Sequence, residues 1–230
     1  MNLSRCIPLV LLALTACPPG LPGPIAQLQR FEKAADAGQH AAVANETVSG
    51  DCLPGGSGSD ACPAIFAVHG RSCLEVARAE AAPGAACPGP TPTAKTALDC
   101  AARDLSAAEA SRKFDGTKLA DIRQNRAQAQ YCSATFLAAP DGAPLATQAE
   151  DAMRTANTAG GKVVAARAAL YFAARSAFPA AQRCAGVQRA RGATRDGQAL
   201  QPDPATADAL RRLASDADGW ARSIPCGSGG

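Results

Sequence analysis

The feature that most constrains this chain is a set of eight cysteines scattered between positions 52 and 226. Cys52, Cys62, Cys73, Cys87, Cys100, Cys132, Cys184 and Cys226 form an even set, and no two stand in a Cys-x-x-Cys spacing. That pattern argues against a zinc site or a covalent haem and for a disulfide framework formed in an oxidising compartment. The framework answers a weakness elsewhere in the composition. Apolar residues make up 47% of the chain, but aromatics only 4%, and alanine fills the difference. Alanine favours helix, yet each buried alanine withdraws little surface from water, so the core is expected to be thin. A bridge contributes about 2–4 kcal/mol, largely by restricting the unfolded chain. Spacing alone does not choose among the many possible pairings. Joining neighbours in sequence gives Cys52–Cys62, Cys73–Cys87, Cys100–Cys132 and Cys184–Cys226 as the simplest expectation.

Hydrophobic periodicity is helical throughout, and no run alternates as a strand would. Ile25, Leu28, Phe31 and Ala35 share one face up to the break at Gly38, and His40 to Val48 reads as a second helix. The loop from Gly50 to Ser59 carries Cys52. Asp60 is the expected N-cap of a helix with Pro63 in its first turn and Phe66, Gly70, Cys73 and Ala77 on one face. After a Pro/Gly break at 83–92, a helix from Thr91 or Thr93 carries Leu98, Ala101 and Leu105. The next carries Ile122, Ala129, Cys132 and Phe136. Pro140 to Pro144 reads as a connection, followed by helices over 146–157 and 162–178, with Pro179 either a kink or the start of a new helix reaching Arg191. A loop is expected over 192–202, then a last helix starting at Asp203-Pro204 and carrying Leu210, Leu213 and Trp220. The expectation is an all-α chain of about seven to nine helices.

At the N-terminus, a short basic segment ends at Arg5, and Ile7 to Ala16 is almost wholly apolar. Such a run is too short to span a bilayer as a permanent helix, which takes roughly 20 residues, but suits the apolar region of a signal peptide. Leu14-Thr15-Ala16-Cys17 resembles the lipobox of bacterial lipoproteins. The resemblance implies cleavage before Cys17 and a covalent lipid on its thiol, with Cys6 leaving in the signal peptide. Pro18 in place of aspartate resembles the default for outer-membrane sorting in a Gram-negative envelope. Residues 1–16 are then the signal peptide and 17–24 a lipidated Pro/Gly tether. Residues 25–226 form the helical domain and 227–230 a flexible tail. The expected location is the cell envelope, lipid-anchored, on the periplasmic side of the outer membrane in a Gram-negative source.

Ala34-Ala35-Asp36-Ala37-Gly38-Gln39-His40-Ala41-Ala42 resembles the helix turn of tetratricopeptide-like hairpins, and the small-residue helix Ala67 to Cys73 is in keeping with it. The aromatic and proline positions of that repeat do not recur at its period of about 34 residues. The fold class is therefore all-α. It is either an irregular helical bundle or a short TPR-like α-solenoid, stapled by disulfides.

Catalytic constellations are missing. The chain has no Gly-x-Ser-x-Gly elbow and no phosphate-binding Gly-x-x-x-x-Gly-Lys loop, Gly160-Gly161-Lys162 being the nearest approach. Its carboxylate pairs, such as Glu150 with Asp151, fit a solvated helix face. His69 and Cys73 stand at i, i+4, a spacing that places two ligands on one helix face, but no third ligand is in view and no metal or other cofactor is expected. His40 reads as a residue near a helix turn. No enzymatic activity is expected. The net charge of +3 gives no case for nucleic acid.

Arg183, Arg189, Arg191 and Arg195 cluster, and arginine forks suit carboxylates and phosphates. With Trp220, the only tryptophan, they form a candidate binding surface. The expected role is a membrane-anchored interaction module for a protein or peptide of the cell envelope. The alternative is a small-ligand or wall-polymer binder with a pocket lined by Tyr171, Phe172 and arginines.

Overall fold

The computed structural model describes residues 23–226. The signal-peptide and lipobox residues, most of the tether and the last four residues lie outside that range. Nine α-helices make up the described chain: α1 (Gly23–Asp36), α2 (His40–Asn45), α3 (Cys62–Ala79), α4 (Pro92–Ala110), α5 (Gly116–Thr135), α6 (Ala139–Arg154), α7 (Ala159–Ala173), α8 (Ala180–Ala199) and α9 (Pro204–Ser223). A 3₁₀ turn covers Gly50–Cys52, and no strand occurs among the described residues. No helix among them is long and apolar enough to cross a membrane.

Local chemistry sets several of the boundaries. The Thr91 hydroxyl accepts from the Ala94 N–H at 3.1 Å and the Thr158 hydroxyl from the Gly161 N–H at 3.1 Å. The Asp203 carboxylate accepts from the N–H groups of Ala205 and Thr206, both at 3.0 Å. Each satisfies donors that the first turn leaves without an intrahelical partner. Asp60 does not cap α3. It is exposed and pairs with Lys113, while the Ser59 hydroxyl accepts from the Ala61 N–H. The second helix stops at Asn45, short of Val48, because the chain leaves it in extended conformation at Glu46.

Two connections read from the sequence are helical. α6 begins at Ala139 and takes in both Pro140 and Pro144. A proline in the first turn forfeits only an N–H that has no partner there, so Pro140 costs little. α8 continues through Gly192 to Ala199, because its last turns are packed. Gly197 fits so closely against Leu210 of α9 and Lys162 of α7 that a Cβ would come within 2.8 and 2.9 Å of them. Tertiary contact overrides the weak helix propensity of glycine there. At the other end, the last two tether residues, Gly23 and Pro24, already belong to α1.

Each helix packs on the next in sequence, and α1, α3, α5, α7 and α9 also touch in succession. Leu74, Leu98 and Leu105 are buried between α3, α4 and α5. α7 is buried around most of its circumference, from Gly161 to Ala173 with only Arg167 half-exposed.

Four disulfides staple this packing: Cys52–Cys62, Cys73–Cys100, Cys87–Cys132 and Cys184–Cys226. The first and last join sequence neighbours as expected. The middle four cysteines instead pair crosswise. Cys73 lies on the α3 face that meets α4, so its partner is Cys100 on α4. Cys87, in the α3–α4 loop, lies over α5 and reaches Cys132. Helix packing, not loop length, chose these two bridges. Four bridges fit an oxidising, extracytoplasmic compartment.

Candidate functional site

A groove of about 450 Å³ runs between α1, α3 and α5. From α3 it is lined by Ala64, Ala67, Val68, Arg71, Glu75 and Arg78, one stripe at helical spacing. From α5 come Lys118, Asp121, Ile122 and Asn125. Its floor is apolar (Ile122, Phe114, Leu105) and its walls are charged. Arg78 also lines a second hollow of about 320 Å³, together with Leu74, Leu98, Gln128 and Arg167 of α7. Arg78 therefore links the two spaces.

Arg167 is the unusual group. It is half-buried, and no acidic side chain among the described residues lies within ion-pair distance of it. Burial pulls its pKa below the ordinary guanidinium value; Tyr131 acts against that, and the positive charge of Arg78 acts with it. An arginine side chain nevertheless stays charged, so two cations share a partly dehydrated hollow. Arg78 has Glu75 as a partner at 2.6 Å; Arg167 has none among the described residues. Burial raises the Tyr131 hydroxyl above its usual pKa, with Arg167 and Arg175 pulling the other way. Such an arrangement suits an incoming carboxylate or phosphate, which a guanidinium fork binds bidentately.

Beyond α3, toward α2 and α4, lies a wider cleft of about 720 Å³ lined in part by Glu46, Phe66, His69, Cys100, Arg103 and Asp104. Two buried groups sit beneath it. His69 Nδ1 and Asp104 Oδ2 are 2.5 Å apart, and both side chains are almost fully buried. The carbonyl of Glu46, which can only accept, lies 3.1 Å from His69 Nε2, so Nε2 carries a proton. Burial pushes the Asp104 carboxyl up, but hydrogen bonds from His69 and Arg103 outweigh it and hold the group below the usual carboxylate range. The Cys73–Cys100 bridge lies alongside, its two sulfurs 4.0 and 3.6 Å from His69 Nδ1.

The arginines singled out from the sequence do not converge. Arg183 donates to the Ala173 carbonyl at 3.1 Å, Arg189 to Glu150 at 2.5 Å, and Arg191 forms two bonds to Asp218. Arg195 is exposed, without a hydrogen-bond partner among the described residues. Trp220 packs beside Cys184, Leu213 and Cys226 over the α7–α8–α9 core. Tyr171 and Phe172 are part of the core. They are buried against Ala134 and Ala146 with Phe178 beside them, and the Tyr171 hydroxyl donates to the Ala139 carbonyl at 3.0 Å. His40 bonds to the buried Ser72 hydroxyl at 3.3 Å. Sequence reasoning passed over Arg78, Arg167, Cys100 with Asp104 as a pair, and the stripe on α3. The available signal was Arg167 itself, the one charge between Val163 and Ala173 in an otherwise apolar helix.

No family model, curated protein or solved structure matches this chain.

Proposed function

We propose that this protein is an exported, lipid-anchored interaction module that binds an acidic peptide segment of another cell-envelope protein and performs no catalysis. The observation that carries the reading is Arg167, a half-buried guanidinium without an acidic partner among the described residues, facing the same hollow as Arg78. A dehydrated cation is costly unless an opposite charge meets it, and a carboxylate of the bound segment meets this one. The groove beside it supplies an apolar floor and further cations, Arg71 and Lys118, along which the rest of the segment lies. The succession of helices, with the odd-numbered ones touching in a row, supports a TPR-like stack presenting that groove. The Leu14-Thr15-Ala16-Cys17 motif supports the lipid anchor on Cys17, and Pro18 supports delivery to the outer membrane of a Gram-negative source, facing the periplasm.

The test is a photo-crosslinking residue at Asn125 of the full anchored chain in intact cells. A recurrent protein adduct is expected, lost in Arg167→Glu and kept in Arg195→Glu. Adducts indifferent to Arg167→Glu overturn the reading. A second reading, a small dicarboxylate or phosphate ligand, is favoured by the size of the Arg78–Arg167 hollow. It predicts no protein adduct and an Arg167-dependent rise in melting temperature with such anions. Replacing Cys17 with alanine is expected to release the protein from the membrane fraction; unchanged retention removes the anchor from the proposal.

A further inference from the structure

The His69–Asp104 pair and the Cys73–Cys100 bridge have a geometry that a structural disulfide does not require. His69 and Cys73 stand at i, i+4 on α3, and Cys100 and Asp104 stand at i, i+4 on α4. The packing of the two helices brings all four functional groups to one point. One ligand atom each from His69, Cys73 and Cys100 lie within 4.8 Å of one another. Asp104 Oδ2 lies 2.5 Å from His69 Nδ1 and 3.8 Å from Cys100 Sγ. The donor atoms of a tetrahedral zinc, with bonds of about 2.0–2.3 Å, stand about 3.3–3.8 Å apart. The nitrogen–sulfur and sulfur–oxygen separations here already approach those edges.

The surroundings also suit a metal. A ligating histidine characteristically donates its other ring N–H to a carbonyl or carboxylate, which fixes the ring. His69 Nε2 faces the Glu46 carbonyl and turns Nδ1 toward the sulfurs. Phe31 stacks on the same ring at 5.6 Å and holds its plane. Arg103 takes Asp104 Oδ1 at 2.6 Å and leaves Oδ2 for the centre. Charge balances as well. Two thiolates, one carboxylate, a neutral imidazole and a divalent ion sum to −1, which the guanidinium of Arg103 offsets. Cys100 is only half-buried and lines the wide cleft, so a reductant reaches the bridge from solvent.

We infer that Cys73, Cys100, His69 and Asp104 form a redox-gated zinc site, closed to metal in the disulfide state and opened by reduction. A dithiol reductant supplies two electrons and two protons to the Cys73–Cys100 bond and becomes a disulfide itself. On binding the ion the two thiols lose their protons to solvent, and the proton shared between His69 Nδ1 and Asp104 Oδ2, whose place the ion takes, leaves with them. The oxidised state thus holds a proton where the reduced state holds zinc. This site is separate from the Arg78–Arg167 hollow, and its fate does not depend on what that hollow binds.

The experiment titrates the full chain with Co²⁺ and then Zn²⁺, oxidised and after anaerobic reduction with a phosphine, and follows cobalt absorption. Reduction is expected to create one tetrahedral cobalt equivalent with a thiolate-to-metal charge-transfer band, displaced by zinc and missing from the oxidised chain. Cys73→Ser with Cys100→Ser is expected to abolish that band, and Cys52→Ser with Cys62→Ser to leave it. His69→Ala is expected to weaken zinc binding by more than the roughly 10–100-fold lost when only a group supporting a ligand is removed. Should that variant fail to fold, alkylation of the reduced wild-type chain decides the matter. Zinc is expected to shield Cys73 and Cys100 selectively among the eight thiols. Equal shielding elsewhere, no shielding, or a cobalt band that survives loss of both Cys73 and Cys100 overturns the inference.

Discussion

The two ends of this helical bundle hold themselves together by different means. From α1 to α5, three disulfides and the buried His69–Asp104 hydrogen bond supplement a core of leucines and alanines. From α6 to α9 a single bridge ties α8 to the segment after α9, and a wrapped central helix does most of the work. Tyr171, Phe172 and Phe178 form an aromatic cluster with centroids 5.2–6.1 Å apart, and Arg189 reaches over Phe172 to the buried Glu150. Gly186 lets α8 approach α7 so closely that a Cβ would sit 2.7 Å from the Ala169 carbonyl. The contrast shows two answers to a core built largely of alanine. One restricts the unfolded chain with crosslinks; the other gathers the few large side chains around one buried helix.

The C-terminal half depends most on its aromatic cluster. Phe172→Ala removes the centre of the aromatic cluster and leaves a cavity beneath α8, and is expected to cost about 4 kcal/mol. Urea unfolding followed by circular dichroism measures it; a loss under about 1 kcal/mol would mean that the wrapped helix does not carry this half. The N-terminal half is tested by Cys87→Ser with Cys132→Ser. Chain-entropy arguments put that loss at about 3–4 kcal/mol, and it should appear in α3–α5 hydrogen exchange while α7–α9 protection stays near wild type. Protection lost equally at both ends would make the two regions one cooperative unit.

The smallest effect is tied to pH. Asp104 has a folded pKa below its ordinary value, so its contribution to stability is complete above the unfolded carboxylate value of about 4. That contribution disappears as the pH falls through the lower folded value. Acid titration of the urea midpoint should therefore show a limb below about pH 4 that Asp104→Asn flattens in the N-terminal half. An unchanged limb would place the acid-sensitive carboxylates elsewhere.

Much of the fold was legible because helices announce themselves locally. The stripes Leu98–Ala101–Leu105 and Ile122–Ala129–Cys132 are buried as their spacing implies, and Thr91 and Asp203 start their helices. Where reading failed, a local rule met a distant contact. Gly192 and Pro144 looked like breaks, but packing of the flanking turns keeps α8 and α6 continuous. The candidate site was less legible. Arg183, Arg189 and Arg191 lie close in sequence, yet each points to a partner of its own. Arg78 and Arg167 lie far apart in sequence and share one hollow.

Local residue order specifies the helical class, most of the helix positions, and the need for crosslinks in a chain whose core is largely alanine. Periodicity, capping and composition act over a few residues, and the order of residues records them directly. The tertiary structure alone decided that Cys73 joins Cys100 and Cys87 joins Cys132, that His69 meets Asp104, and that Arg167 faces Arg78. Each of these depends on which helix faces which and at what rotation. That is fixed by the summed packing of many small contacts across the stack, a quantity that no single stretch of the chain contains.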